Sequence, residues 1–502
     1  MREVELKLAV HGSFLMPALT NDNLGIAAAE ELPRLETRTT YYDTRDLRLA
    51  RYGITLRYRT GEEGGPRWTL KLLVPGEDQT SHEEVNFRAP AARVPDDARD
   101  LVTAFVRAAP LKAVASIRTG RDRWLLKDDG GSDLAEVVDD VVSVYEGRRV
   151  VGRFRELEIE GRKLDRSGME GVSKLLQDAG ALASEPIPKV VRALGSRATG
   201  GPDVPQYLAV DPGDPCGRAV QAAIANGLFR LILHDPVTRI GSDLEGVHQM
   251  RVATRRMRSD LRTFRPLVDE QWVTPLRAEL KWLGDILGAV RDLDVQQARM
   301  VHTAGDLASE VGPLFDEIAE RHEPARATLR AELNSVRYVK LLDRLVDAVH
   351  NPVLTPLAEK SCEDQLPGLV AGPWRKLEKA ARKLKQDGPD EAYHRVRILA
   401  KRSRYAAEAV TGALPAEKSK DAARFAKRCA AVQDVLGDFQ DAIVAAGLIK
   451  DVGVGRPQAG YMNFALGRMA EREYALASKK KAEFPEVWAS LAKNKNLEWL
   501  SE

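Results

Sequence analysis

His248-Gln-Met-Arg251-Val-Ala-Thr-Arg255-Arg256-Met-Arg258 returns 146 residues later as His394-Arg-Val-Arg397-Ile-Leu-Ala-Lys401-Arg402-Ser-Arg404. The shared frame is His-x-x-Arg-apolar-x-x-basic-basic-x-Arg, and neither copy contains Pro or Gly. Steps of three and four put His248, Arg251, Arg255, Arg258 and Arg262 on one stripe of a predicted helix. His394, Arg397, Lys401 and Arg404 form the same stripe on a second helix. Met250, Ala253, Met257, Leu261 and Phe264 make a separate apolar stripe that can face a core. Val396, Leu399, Ser403, Ala406 and Val410 are its weaker equivalent. Like charges at these spacings repel, so each helix needs counter-charges from acidic neighbours or from a ligand. One basic run alone reads most simply as a solvated helix face. Two copies with His at the same end favour a built cationic surface, and its natural partner is polyanionic.

A second element follows each helix. Leu287-Gly288-Ala-Val-Arg-Asp292 is matched by Leu436-Gly437-Asp-Phe-Gln-Asp441, 40 and 43 residues after the respective His to the Gly. The C-terminal region is therefore a duplicated unit of several helices. Packing about a pseudo-two-fold axis would bring both stripes to one face. These paired motifs resemble the CHAD domain, the conserved-histidine α-helical domain, over about residues 216 to 502. The resemblance implies an all-α duplicated bundle that binds inorganic polyphosphate through His248, Arg251, Arg255, Arg258, His394, Arg397, Lys401 and Arg404. Metal binding by the two histidines is disfavoured by the cations beside them. An imidazole among arginines is better suited to donate to an anion.

The chain of 502 residues has room for two or three domains. Lys and Arg number 76 against 74 Asp and Glu, a formal net charge of +2. Neither half is basic in bulk, so an anion site must come from patterning. That balance, with few aromatics in the helical half, disfavours nucleic acid as a partner. Cys216, Cys362 and Cys429 are few and widely spaced, and read as reduced core thiols. No apolar leader opens the sequence and no uncharged stretch could span a bilayer. A cytoplasmic protein without a membrane partner is expected, associated with polyphosphate granules if the resemblance holds.

The pattern changes near residue 200. Strand signals dominate upstream and helices downstream, with a Pro- and Gly-rich linker over 200–215. The expected domains are thus 1–199, a linker, and 216–502. Glu3-Val4-Glu5-Leu6-Lys7-Leu8 alternates strictly, so Glu3, Glu5 and Lys7 share one strand face. Arg57 and Arg59 flank Tyr58; Thr69 and Lys71 alternate with Trp68 and Leu70; Glu156, Glu158 and Glu160 alternate with Leu157 and Ile159. Each alone is an ordinary half-buried strand. A closed antiparallel barrel would gather the charged faces into one channel. The apolar faces would then pack outward, against helices such as the segment near Met169 to Ala179. Cations in such a channel suit phosphate oxygens, and paired carboxylates suit Mg²⁺ or Mn²⁺. A linear triphosphate has the length and charge to use both. No Gly-x-x-x-x-Gly-Lys-Ser/Thr loop is present, which disfavours a P-loop nucleotidase.

Glu3-x-Glu5-x-Lys7 resembles the signature of the CYTH family, the triphosphate tunnel metalloenzymes. Tyr42-Asp43-Thr44, Leu56-Arg57-Tyr58-Arg59, Thr69-Leu70-Lys71, Glu156-Leu-Glu158-Ile-Glu160 and Pro188-Lys189 follow in the family's order, over about residues 1 to 200. The resemblance implies an antiparallel β tunnel that hydrolyses a triphosphate, best guessed as inorganic triphosphate, with Mg²⁺ or Mn²⁺. Glu3, Glu5, Glu156 and Glu158 would serve the metal and the water. Lys7, Arg57, Arg59 and Lys71 would grip phosphates, Lys7 would also assist the leaving group, and Lys189 would close the site. Glu84 is a further channel carboxylate. Arg121 aligns best among the middle cations, with Arg118 as a second candidate. Glu136 and Asp140 share a face, and one of them is expected in the site. Gly120 leaves parity undecided if it marks a bulge. Arg123 and Asp139 read at least as well as solvated. Thiamine triphosphate hydrolysis, cyclic-nucleotide formation and a non-catalytic polyphosphate-binding scaffold are the alternatives.

Overall fold

The computed structural model describes residues 5–500 apart from 63, 76–81, 92, 184–186, 386–387 and 456–458. The chain forms two compact units, Met1–Asp203 and Val204–Glu502.

The first unit is built on one sheet of nine strands. They are β1 (Glu5–Ala9), β2 (Ala28–Asp43), β3 (Thr55–Thr60), β4 (Arg67–Leu73), β5 (His82–Phe87), β6 (Lys112–Lys127), β7 (Asp133–Glu146), β8 (Arg149–Gly161) and β9 (Leu182–Ala183). Their order is β5-β4-β3-β2-β6-β7-β8-β1-β9, and the β1–β8, β2–β6 and β7–β8 pairs, like the rest, are antiparallel. Among the described residues no pairing joins the edges β5 and β9, so the ladder itself stays open. Five helices accompany it: α1 (Arg48–Arg51), α2 (Asp96–Leu101), α3 (Thr103–Val106), α4 (Arg166–Asp178) and α5 (Lys189–Leu194).

Residues directly opposite in an antiparallel pair project from the same face, so the register carries one face across the whole sheet. Lys7 faces Glu158, Glu156 faces Asp140, and Asp140 faces Arg121. Thr119 faces Thr37, Thr39 faces Arg59, Arg57 faces Thr69, and Lys71 faces Glu84. Eight strands therefore contribute polar groups to one continuous face. The ladder runs through Gly120 without a slip; the irregularities of the β2–β6 pair lie between Leu32 and Leu35 of β2 and at Val114 near the start of β6. Parity thus holds along β6 from Ser116 through Gly120 to Leu126.

The reverse face is apolar. Leu8, Leu157, Ile159, Val137, Ala135 and Leu126 pack with Met169, Val172 and Leu176 of α4, all nearly fully buried. Burying side chains of this size contributes about 1.5–3 kcal/mol each. The outward packing expected around Met169 is what the sheet adopts. On the polar face, Tyr41, Ile117, Val142 and Val144 form a small apolar cluster with Val190, which seats α5 over that end. The loop after β2 is fixed by Asp43, 3% exposed. Its carboxylate accepts from the backbone N–H groups of Thr44 at 2.7 Å, Leu49 at 2.9 Å and Ala50 at 2.9 Å. Asp43→Ala strands three buried donors and should cost about 3 kcal/mol or more, read as a lowered urea midpoint with unchanged slope.

The second unit is helical: α6 (Cys216–Ile240), α7 (Leu244–Thr263), α8 (Glu270–Ala304), α9 (Gly312–Leu333), α10 (Val336–His350), α11 (Cys362–Ala381), α12 (Asp390–Thr411), α13 (Ala416–Val454) and α14 (Gly460–Leu491). Met250, Ala253, Met257, Leu261 and Phe264 are buried, as are Val396, Leu399, Ser403, Ala406 and Val410, so both apolar stripes face the core. The duplication is visible in the backbone. Cys216 and Cys362 open α6 and α11 at the same 146-residue offset as the histidines. Cys216 N–H donates to Lys360 O, and Cys362 N–H donates to Asp214 O, each at 2.9 Å. That reciprocity is what a local two-fold relation produces. All three cysteines are free and buried. The far ends of α8, α9, α13 and α14 share a second core around Met300, Leu314, Ile449 and Met469. Among the described residues, no helix is long and apolar enough to cross a membrane.

Candidate active site and basic helical face

The acidic pole of the sheet's polar face is Asp140, Glu156 and Glu158. Their carboxylate oxygens lie within 4.8 Å of one another. All three are at most 3% exposed. Such a group costs too much to bury without counter-charge. α5 supplies part of it: Lys189 Nζ stands 2.6 Å from Asp140, 3.1 Å from Glu156 and 2.9 Å from Glu158. Lys7 reaches Glu158 at 2.9 Å. Arg121 spans Asp140 at 2.7 Å and Glu158 at 3.0 Å. Arg192 of α5 pairs with Glu156 and lies 4.1 Å over the Phe154 ring. Burial alone would raise the Glu158 carboxyl, but Lys189, Lys7 and Arg121 hold it well below the usual carboxylate range. Burial likewise works against the Lys189 charge, yet Glu158, Asp140 and Glu156 push its pKa above the ordinary lysine value.

This cluster fits a hard divalent cation. Its donors are all carboxylate oxygens, the chemistry Mg²⁺ and Mn²⁺ prefer. Glu156 Oε1 is buried without a hydrogen bond, with only the Lys189 ammonium 3.1 Å away to offset its charge, which leaves it a lone pair for a cation. The Lys189 ammonium, central to the three carboxylates, stands where a cation's charge is wanted.

The cationic pole lies on β3, β4 and β5 of the same face. Lys71 Nζ is 2.6 Å from Glu84, and Arg57 is 3.8 Å from the same oxygen. Arg59 pairs with Glu62 in the turn after β3, and Arg67 reaches Glu62 at 2.6 Å. Burial would raise both carboxyls; Lys71, Arg57 and Arg59 keep Glu84 below its usual value, and Arg59, Arg67 and Arg57 do so for Glu62. A depressed folded-state pKa stabilises the fold above the ordinary carboxylate value of 4.5. The contribution is lost as pH falls through the depressed value. The stability gap between wild type and Glu62→Gln should therefore be present at pH 7 and close in strong acid, as urea unfolding at the two pH values would report.

Several placements differ from the sequence reading. Arg118 is on the reverse side of β6, with an exposed side chain 3.2 Å from Glu36, so it does not join the polar face. Parity decided this once β6 proved regular. Glu136 and Asp140 are both on the face. Only Asp140 enters the carboxylate cluster, while Glu136 is held by Arg123 at 2.6 Å and Arg162 at 2.9 Å. Arg123 is accordingly a channel-face residue rather than a solvated one. Asp139 is buried on the reverse face, paired with Arg155 at 2.6 Å. Glu3 and the Glu5 side chain lie outside the described residues. Glu62, Arg67 and Arg192 were missed: Glu62 sits in a turn and Arg192 on a six-residue helix, where no alternation marks them, whereas Arg67 opens β4 in step with Thr69 and Lys71 and the same alternation could have found it.

In the helical unit, α7 and α12 bring their stripes together. Burial lowers the Lys401 ammonium to about 7, reinforced by Arg255, Arg397, Arg251 and Arg258. All five cations come from the predicted stripe positions, three on α7 and two on α12. Arg255, Arg256 and Arg404 surround the Tyr405 ring at 5.7, 5.4 and 5.8 Å. The repeated Leu-Gly-x-x-x-Asp motifs are the partners of the arginines. A Cβ at Gly288 would meet the Arg251 guanidinium at 3.6 Å, and one at Gly437 would meet Arg397 at the same distance. Arg251 also pairs with Asp292 at 2.7 Å. The two guanidinium groups thus lie against α8 and α13 at these glycines, at ordinary contact distance. His248 is held below its usual pKa by burial, then by Arg291, Arg255 and Arg251. Arg291 was not foreseen. His394 Nδ1 is buried without a hydrogen-bond partner.

A CYTH-domain family model matches residues 1–193, and a CHAD-domain model matches residues 222–450. The chain is 31% identical to the uncharacterized protein Rv2226 of Mycobacterium tuberculosis, covering 95% of this chain and 94% of that one. Among solved structures it is similar to the CHAD domain of the plant Ricinus communis. That match has 27% identity and a TM-score of 0.45, over 57% of this chain and 95% of that one. It is also similar to PptA from Streptomyces chartreusis, at 21% identity and a TM-score of 0.47, over 55% of this chain and 100% of that one.

Proposed function

The chain belongs to the CYTH–CHAD family, a CYTH domain followed by a CHAD domain, and from that premise we propose that it is a metal-dependent triphosphatase acting on inorganic triphosphate, with a helical unit that binds inorganic polyphosphate. One observation carries the reading. The strand register places Asp140, Glu156 and Glu158 on the same sheet face as Arg57, Arg59 and Lys71. That face offers cations to the phosphates of such an anion and carboxylates to a cation at its reacting end.

A divalent cation held by Asp140, Glu156 and Glu158, with Glu3 and Glu5 as further donors, would neutralise phosphate oxygens and orient a water. The chain's own groups do the rest. Arg57, Arg59 and Lys71 offer charge-assisted hydrogen bonds to the phosphate oxygens remote from the carboxylates. Glu84 and Glu62 hold those cations in place before substrate arrives, so little reorganisation is needed on binding. Arg121 and Lys189, fixed by Asp140 and Glu158, orient the carboxylates. Lys7, 2.9 Å from Glu158, would give a proton to the departing phosphate.

The test is phosphate release from inorganic triphosphate with Mg²⁺ or Mn²⁺. Release abolished by chelation and restored by adding the metal back is the expected outcome. No release with either metal would overturn the triphosphatase assignment.

A further inference from the structure

We propose that the helical unit carries a second phosphate-chain site, in a basic pocket between α13 and the turn that follows α14. It shares no residue with the α7 and α12 stripes, and the inference does not rest on them.

Arg424, Lys427 and Arg428 lie at spacings of three and four, so they share one face of α13. Opposite them the chain leaves α14 and turns back. Asn496, 2% exposed, pins that turn. Its side-chain amide donates to Ser490 O at 2.9 Å and Leu491 O at 3.2 Å. Its carbonyl accepts from Trp499 Nε1 at 3.1 Å. Trp499 is buried edge-on against Phe425 of α13, with ring centroids 5.9 Å apart. This anchoring sets Lys493 and Lys495 against the α13 cations. Between them is a cavity of about 430 Å³ lined by Arg424, Lys427, Arg428, Lys493 and Lys495, and no carboxylate lines it. Arg424 has a partner, Asp421, at 2.8 Å. Among the described residues the other four have no carboxylate within salt-bridge distance.

A basic stripe open to water on a convex helix face needs no ligand, because solvent screens it. Here a buried aromatic pair and a buried amide hold two like-charged segments facing each other across a concavity. Repulsion is built in, and a multivalent anion relieves it. Arg and Lys donors suit phosphate oxygens. Both nearby aromatics are buried, and no exposed ring lines the pocket to stack a base, which favours inorganic phosphate chains over nucleic acid.

The experiment is lysine acetylation footprinting of the full-length protein, read by mass spectrometry. The probes are tripolyphosphate, long-chain polyphosphate and single-stranded RNA. Acetylation of Lys427, Lys493 and Lys495 should slow about fivefold at four times the dissociation constant of a phosphate chain. The same slowing should persist in Arg251→Ala/Arg397→Ala. In Lys427→Ala/Lys493→Ala, protection of Lys495 should be lost at unchanged melting temperature. Protection at Lys401 alone would overturn the pocket and leave the stripes standing. Loss of protection in the arginine double variant would overturn its independence. Stronger protection by RNA than by phosphate chains would overturn the ligand class.

Discussion

Glu156→Gln is expected to slow metal-dependent phosphate release by about 10³-fold, equivalent to about 4 kcal/mol of barrier. Glu156 is the member of the cluster with a buried oxygen lacking a hydrogen bond. It can therefore give an oxygen to a cation at the cost of one ion pair, that with Lys189 at 3.1 Å, and of no hydrogen bond. The glutamine keeps the shape and a carbonyl oxygen but removes the negative charge. It also leaves Lys189 and Arg192 with one carboxylate fewer between them, which further disfavours a bound cation. Glu156 faces the polar side of β8, away from the Leu8, Leu157 and Met169 core, so the fold should persist. The measurement is turnover across a metal titration, with circular dichroism as the check on folding. Turnover within tenfold of wild type at saturating metal would remove Glu156 from the metal set. Polyphosphate binding should be unchanged in this variant if the two activities are separate.

How much of this was legible in the sequence follows from which signals have a period. Glu156, Glu158, Arg57, Arg59 and Lys71 alternate with apolar residues, and alternation alone put each on a strand face. What it could not supply was which strands are neighbours. The identity of the carboxylate cluster needed that, because Asp140 enters it only through its pairing with Glu156. Arg118 shows the same gap: its residue type fits a tunnel, and only a regular β6 sends it outward. Glu62 and Arg192 had no periodic context at all. In the helical unit the repeat made the stripes and their apolar backs readable. The meeting of Arg251 with Gly288, and of Arg397 with Gly437, was not, since helix pairing is set by packing rather than by local pattern. The sequence held both halves of each contact as a repeated motif without saying that they touch.

Arg251→Ala/Arg397→Ala should weaken polyphosphate binding by about 10²- to 10⁴-fold. Each arginine lost removes charge-assisted hydrogen bonds worth about 1.5–3 kcal/mol, and tenfold in affinity is about 1.4 kcal/mol. The loss should be larger at low salt, where exposed charges are less screened. Asp292 gives the free Arg251 a partner, so part of its contribution is spent exchanging that bond for phosphate. Lys401 adds a pH signature that a merely structural arginine pair would not produce. In the free protein its ammonium is lowered to about 7 by burial and by Arg255, Arg397, Arg251 and Arg258. A bound anion stabilises the charged form and raises that value. Below pH 7 the lysine is already protonated and affinity is at its plateau. Above pH 7 binding must take up a proton, so affinity falls until pH reaches the raised value of the complex. Lys401→Arg should flatten the profile, because a guanidinium stays charged throughout. Removing Arg251 and Arg397 from around Lys401 should move the fall to higher pH, because two of the charges that depress it are gone. Isothermal titration at several pH values in two buffers of different ionisation heat would count the proton directly. Binding that is pH-independent from 6 to 9 in the wild type would exclude Lys401 from the anion site, and unchanged affinity in the arginine double variant would exclude the stripes.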